Sequence, residues 1–468
     1  MVEPLRRDRM VVPFTGGEAG VEPLTWGQRA IMLDMQASGS QFSMPGRMGL
    51  PEGITIEEAA ARLSGLMGRH AALRARLRTD GAGHPSQEIA RSGETSLDIL
   101  TIPDDTDQAG LARYAVELFD TWPSTRFDFQ RDWPLRMAVL RHRGACRYLV
   151  WVLSHLVADG AAHMLLLDEL TGDRAIDSPR PQFYDVARSE QTPRLRQLSA
   201  RTMRYWESQL RHIPVLTFGE PAQPPDAPGP AGPRYGQVRF RSRAAHLAML
   251  AIAERTGTDA SRVMLAVVAT AIGRATGVHP LTLQVMINNR FRPGLADVIA
   301  VIAQNSVVTI DVTDTSIDEV VGQARSASLS AGLRAYYDPA DLSEVIARLD
   351  AERGYPARVS CRLNDQRPMI RGAAREAGSG EVTKELISQR LPESSLAWLS
   401  PLENLHTQAN IIVENLPGIV SLHMQVDLWC LTSEQAEALV RGVEEVAVEA
   451  AFDPAARTRV LSAAAQPG

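Results

Sequence analysis

Lysine is nearly absent from this chain of 468 residues: of 49 basic side chains, only Lys384 is a lysine. The accompanying Arg, Ala and Gly bias is that of a GC-rich bacterial genome, so the arginines say little about partners. Excess positive charge is absent too. The formal net charge of −6 argues against general nucleic-acid binding, which needs a basic face to displace counterions. Cysteine is scarce. Cys146, Cys361 and Cys430 are scattered, odd in number and form no CxxC pair or Cys/His cluster, so neither a disulfide framework nor a zinc site is indicated. Long apolar runs are missing: the longest, Val263 to Ile272, is far short of the roughly 20 residues a bilayer needs. Arg6, Arg7 and Arg9 have no apolar stretch behind them, so the N-terminus is not a secretory signal. No Gly-rich phosphate loop, HExxH, GxSxG or EF-hand pattern occurs. These absences predict a cytoplasmic protein with no metal, no dissociable redox cofactor, and neither nucleic acid nor membrane as partner.

What is present is ordinary globular material. Hydrophobic residues make up 44% and charged residues 22%, and the length favours two or three domains at roughly 100–200 residues each. One segment reads as a linker: Glu220 to Pro233 is dense in proline, which excludes helix and central strand. It predicts an N-terminal lobe over 1–219, a linker over 220–235 and a C-terminal lobe over 236–468. Gly372 to Thr383 reads as a surface loop. The first half alternates helix and strand patterns: helices at Ile56 to Arg69, Ala109 to Thr121, Ala161 to Leu170 and Pro193 to Ile213, and strands at Leu73 to Arg78, Leu97 to Ile102, Leu135 to His142 and Arg147 to Leu153. The second half reads as helices at Ala244 to Thr256, Ser261 to Thr276, Ile317 to Ala331 and Ser433 to Ala450. Its strands are Gly236 to Phe240, Leu281 to Ile287, Val307 to Val312, Ala409 to Glu414 and Ser421 to Leu428. The fold class is α/β, and two such halves put a shared site in the cleft between them.

The most informative stretch runs from Tyr148 to His163. A β-branched and aromatic run drives a buried strand to Leu153, and Asp159-Gly160 signals the turn into a helix. Asp159 or Gly160 is placed to cap that helix. His155 falls at the corner, where a rigid backbone holds a half-exposed imidazole, the setting of a general base. The bland alternative makes His155 a hydrogen-bonded corner residue and Asp159 only an N-cap. His163, inside an apolar helix, reads as a core histidine.

Ser154-His155-Leu156-Val157-Ala158-Asp159-Gly160 resembles the His-His-x-x-x-Asp-Gly signature of nonribosomal peptide synthetase condensation domains, within the chloramphenicol-acetyltransferase-like superfamily. Flanking segments agree in order. Pro23 to Arg29 resembles the PLSxxQ opening, Arg69 to Leu77 the RHxxLRTRF strand, and Phe127 to Arg136 the FDLxxGPLLR segment. Asn289 to Leu295 resembles NRxRPEL, and Ala303 to Val307, which contains Asn305, resembles FxNTL. The likeness is specific from Pro23 to about Val312 and looser to the closing helix that ends at Ala451. Two departures stand out. Ser154 occupies the place of the first signature histidine, and the DFGWG element has no match; Cys361 to Gln366 and Val413 to Gly418 occupy comparable stretches.

The resemblance implies two chloramphenicol-acetyltransferase-like lobes in a V-shaped pseudo-dimer, with a central tunnel and His155 at its centre. It implies a stand-alone acyltransferase of bacterial natural-product biosynthesis that forms an amide or ester from a thioester on a phosphopantetheine arm. His155 is then the general base or nucleophile-positioning residue. Asp159 pairs with Arg290 at the lobe interface, and Gly160 is either a gap that keeps the tunnel open or a turn glycine with positive φ. Ser154 and Asn305 are candidates for substrate contact. The implied partners are an acyl or peptidyl carrier protein acting in trans and a small amine or alcohol acceptor. An acidic carrier would meet the arginines from His70 to Arg76 and from Arg194 to Arg211. Two rival readings stay open: an acyl-CoA-dependent O-acyltransferase, and a non-catalytic platform that recruits tailoring enzymes to a carrier-bound peptide.

Overall fold

The computed structural model describes residues 6–172, 180–213, 217–219, 232–367 and 382–461. Most of the predicted linker, at 220–231, and most of the predicted loop, at 372–381, lie outside the described residues. Two compact units account for the chain. The first holds Met1–Arg196 together with Asn288–Ala303, and the second holds Gln197–Ile287 and Gln304–Gly468. This division corrects the expected one. The boundary falls within the helix Pro193–Leu210 rather than at the proline-rich segment, and a stretch of the second half belongs to the first unit.

The first unit is built on a five-stranded sheet in the order Arg6–Thr15, Ser92–Thr101, Leu135–His142, Ala145–Ser154, Ser43–Gly49. All neighbours are antiparallel except Ser92–Thr101 and Leu135–His142. The third and fourth strands form a hairpin through Arg143 and Gly144, both with positive φ, the geometry of a tight two-residue turn. They read as near-continuous apolar runs because they are the sheet's interior strands, with Met137 to Leu140 and Leu149 to Leu153 buried. A small three-stranded sheet joins Gly20–Pro23, Pro85–Ile89 and Ala75–Thr79.

The second unit holds a seven-stranded sheet in the order Gln304–Ile310, Leu281–Ile287, Cys361–Asp365, Ala409–Leu416, Ile419–Asp427, Tyr235–Ser242, Ser395–Trp398. The helices Arg243–Thr256, Ala260–Thr276, Ile317–Leu333 and Ser433–Ala450 bury their apolar faces in one core with the inward side chains of this sheet. Ala260–Thr276 is buried from Val263 to Gly273, which is why it read as the longest apolar run. Among the described residues, no helix is long and apolar enough to cross a membrane.

Several elements went unread in the sequence although their signals are present. The helix Trp26–Ser38 opens on a capping box between Thr25 and Gln28 and closes on Gly39 in the left-handed region. The helix Pro339–Arg353 is capped by Asp338, with proline in its first position. The opening strand Arg6–Thr15 buries only Val12 and Phe14, so its charged face hid it.

The stretch Asn288–Ala303 packs on the helix Trp26–Ser38 at Gly27, where an added Cβ would lie 2.1 Å from the Val301 carbonyl oxygen. That oxygen belongs to backbone and has no rotamer in which to retreat. Gly27→Ala should therefore destabilise the first unit by roughly 1–3 kcal/mol, the usual cost of overpacking. Denaturant melts that superimpose on those of the wild type would show that this contact does not constrain the unit.

Candidate functional site

The strand Ala145–Ser154 delivers the site. Its last pairing is Ser154 with Ser43, and the Ser154 N–H donates to the Pro134 carbonyl at 2.8 Å. One residue on, the His155 N–H donates to the Phe42 carbonyl at 2.9 Å, so the backbone beneath the imidazole is still held by the sheet. The turn over residues 155–157 is braced by the Leu156 N–H donating to Ser154 Oγ at 3.2 Å. The His155 ring is half-buried, and its Nδ1 is buried without a partner among the described residues. Nε2 is the other ring nitrogen, and no hydrogen bond to it is made among the described residues.

Asp159 closes the corner. Its Oδ1 accepts from the Ala162 N–H at 2.8 Å, capping the helix Gly160–Thr171, and from Arg290 at 2.8 Å. Its Oδ2 accepts from the N–H groups of Ile302 and Ala303 at 2.9 and 3.0 Å. Four bonds use the four acceptor positions of a carboxylate, so none remains for a substrate. Burial pushes the Asp159 carboxyl up, but the Arg290 guanidinium and the three backbone N–H groups outweigh it and hold the carboxyl below its ordinary value. Arg290 also donates to the carbonyls of Leu295, Ala296, Val298 and Ala300, so a single side chain gathers the whole loop beyond it. Asn289, fully buried at φ 57°, ties the start of that loop to its end by donating to the Ile302 carbonyl at 3.1 Å. Asparagine is among the few non-glycine residues that adopt this conformation readily.

These geometries revise two expectations. Asp159 and Arg290 both belong to the first unit, so their pair lies inside one unit and not across two lobes. Gly160 is the first residue of the helix and has no positive φ, which removes its reading as a turn glycine. A third correction concerns the arginine stretch. His70 and Arg74 face the interior, with His70 Nε2 2.9 Å from a buried Glu169 that also binds Arg69 and Arg180. Burial raises the Glu169 carboxyl, and its bond to His70 with the flanking arginines brings it down to about 2. Arg76 stacks on the Trp133 ring at 3.5 Å. His70, Arg74 and Arg76 therefore serve the core and its margin.

Ser154, His155, Asp159, Gly160 and Arg290 thus stand in the first unit. Asn305 belongs to the second, where its carbonyl accepts from the Tyr337 hydroxyl at 3.0 Å and its Oδ1 is buried without a partner among the described residues. One group escaped notice in the sequence: the Trp151 indole N–H donates to His163 Nε2 at 2.8 Å. Nothing in the spacing of two residues twelve apart announces that bond.

The family model for the condensation domain matches residues 18–353. The chain belongs to the condensation domain family. Among curated proteins it is 27% identical over 340 residues to the phosphinothricin tripeptide synthetase PhsC of Streptomyces viridochromogenes, covering 68% of this chain and 30% of that one. It is 28% identical over 344 residues to the nonribosomal peptide synthetase kk1B of Curvularia clavata, covering 68% of this chain and 2% of that one. The condensation-domain chain thus spans less than a third of the length of these relatives. Among solved structures, the condensation domain for chain release from the enacyloxin polyketide synthase superposes with a TM-score of 0.71 at 17% identity, covering 97% of this chain and 85% of that one. SgcC5 of Streptomyces globisporus gives 0.67 at 17%, covering 93% and 100%. The X-domain from teicoplanin biosynthesis gives 0.66 at 20%, covering 96% and 99%. The mixed α/β fold with two units is that of condensation domains.

Ser154 is fully buried, and its oxygen serves the turn. Ser154→Ala should lower stability by about 1 kcal/mol, the worth of one hydrogen bond. Melts that superimpose on those of the wild type would show that the hydroxyl does not brace the turn.

Proposed function

We propose that this condensation-domain chain is an acyltransferase that forms an amide or ester bond from an acyl or aminoacyl thioester on a carrier protein. The observation that carries this reading is the state of His155: a half-buried ring on a sheet-anchored turn, with no hydrogen bond to either ring nitrogen among the described residues. The acceptor's N–H or O–H gives its proton to Nε2 as its lone pair attacks the thioester carbonyl. The tetrahedral oxyanion then collapses, the C–S bond breaks, and the pantetheine thiolate leaves and recovers the proton. Asp159 and Arg290 take no part in the proton transfer; they fix the turn and the loop around it. The phosphopantetheine arm arrives with the substrate, so no resident cofactor is needed.

A platform without catalysis is the second reading, favoured by Ser154 in place of the first signature histidine and by the likeness to an X-domain whose complex with OxyB has been solved. The acyl-CoA-dependent alternative differs only in the donor. Intact-mass detection of single-turnover transfer separates all three. Product from a loaded carrier protein supports the proposal, and product from free acyl-CoA alone replaces the donor. Carrier binding without any transfer supports the platform.

A further inference from the structure

His163 sits on the first turns of the helix capped by Asp159, and its main-chain N–H donates to the Asp159 carbonyl at 2.8 Å. The strand residue Trp151 reaches it from below. Trp151 is paired with Gly46 on the neighbouring strand, and a Cβ at Gly46 would fall 2.1 Å from the indole ring. The indole therefore lies across Gly46 in space that only glycine leaves open. It meets the His163 ring edge to face, with centroids 5.8 Å apart and planes at 88°. Indole N–H is a donor only, so His163 Nε2 must be the acceptor and the ring proton must reside on Nδ1. Burial, and then the charge of His155 nearby, hold His163 down to about 4, so the ring is uncharged at neutral pH. His155 and His163 flank Asp159 four residues to either side, His155 on the turn before it and His163 bonded through its main-chain N–H to the Asp159 carbonyl.

We propose that Gly46 and Trp151 lock His163 in its Nδ1–H form, and that this N–H is a fixed hydrogen-bond donor for an oxygen of the group bound at His155. The inference rests on the acyl-transfer reading. It adds a second imidazole that complements the first: His155 accepts a proton, and His163 donates a hydrogen bond while uncharged at neutral pH. An uncharged donor suits this place, since a second cation would oppose the proton that His155 takes up. The oxygen it serves is the thioester carbonyl, whose negative charge grows as the tetrahedral intermediate forms.

The test has two arms. Nitrogen NMR of histidine-labelled protein at neutral pH should show His163 with a protonated Nδ1 and a bare Nε2, and Trp151→Phe should release this into a mixture of tautomers. A wild-type His163 protonated at Nε2 overturns the lock. In single turnover with the donor that the wild type accepts, His163→Phe should slow the bond-forming step at least about 10-fold with donor affinity unchanged. His163→Gln, which keeps an N–H donor, should recover most of that loss. Equal rates for wild type and His163→Phe overturn the donor role. The nitrogen spectrum is independent of turnover: a wild-type protein that transfers nothing sinks the acyl-transfer reading, while the tautomer still upholds or overturns the lock.

Discussion

Replacing His155 by alanine is expected to cut single-turnover transfer from a loaded carrier at least about 10²-fold, the lower end of what a positioned general acid or base supplies. Folding should be untouched. The ring makes no hydrogen bond among the described residues, and Nδ1 is buried without a partner, so its removal breaks no bond and takes away an unsatisfied polar atom. What holds the turn is the main chain, through the His155 N–H to the Phe42 carbonyl, and alanine retains it. Carrier binding should survive for the same reason. Neither of the two nearest candidates in the motif stands ready to take over the proton. Ser154 occupies the adjacent signature place, and the acceptor nitrogen of His163 is taken by Trp151. Equal turnover by wild type and His155→Ala would sink the catalytic reading and leave the platform. The measurement is the rate of product appearance by intact mass, with circular dichroism melts alongside to show that the variant is folded.

What the sequence made legible is what short-range chemistry writes into it. A strand to Leu153, the corner at His155 and a cap at Asp159 or Gly160 follow from an apolar β-branched run, a turn dipeptide and a helix start lying within sixteen residues; the structure ends the strand at Ser154 and puts the cap on Asp159. Most of the long amphipathic helices were readable in the same way; Ile56–Arg69, for example, has a Thr55 cap with Glu58 in the third position. The misses share a cause. Asn288–Ala303 belongs to the first unit because Asp159 takes the Arg290 guanidinium and the stretch's last two N–H groups, contacts across more than a hundred residues that no local pattern records. The Gly46–Trp151–His163 arrangement depends on strand register, and a glycine opposite a tryptophan becomes visible only once the strands are paired. The arginines of the RHxxLR-like segment were read as surface because arginine usually is; His70 and Arg74 are buried because Glu169 and main-chain carbonyls meet them there.

Asp159→Ala should be the most destabilising change in the site. It removes one member of a buried ion pair, whose guanidinium is then left without its counter-charge, and strips acceptors from the N–H groups of Ala162, Ile302 and Ala303. Breaking a buried pair from one side costs roughly 3–5 kcal/mol, equivalent to a midpoint lowered by about 6–20 °C for a unit of this size. Asp159→Asn should rescue little, because its amide N–H₂ would face backbone donors or the Arg290 guanidinium. The pH dependence has a definite sign. The folded-state carboxyl titrates below its unfolded value, so its stabilising contribution is fully present above about pH 4 and is lost as pH falls through the lower, folded value. The gap in melting temperature between wild type and Asp159→Ala should therefore be widest near neutrality and narrow below about pH 4. Activity should fall with the folded fraction and return in part at low temperature, where more of the variant is folded. An Asp159→Ala protein that melts like wild type but transfers nothing would contradict the saturated hydrogen bonding of this carboxylate and make Asp159 a reacting group.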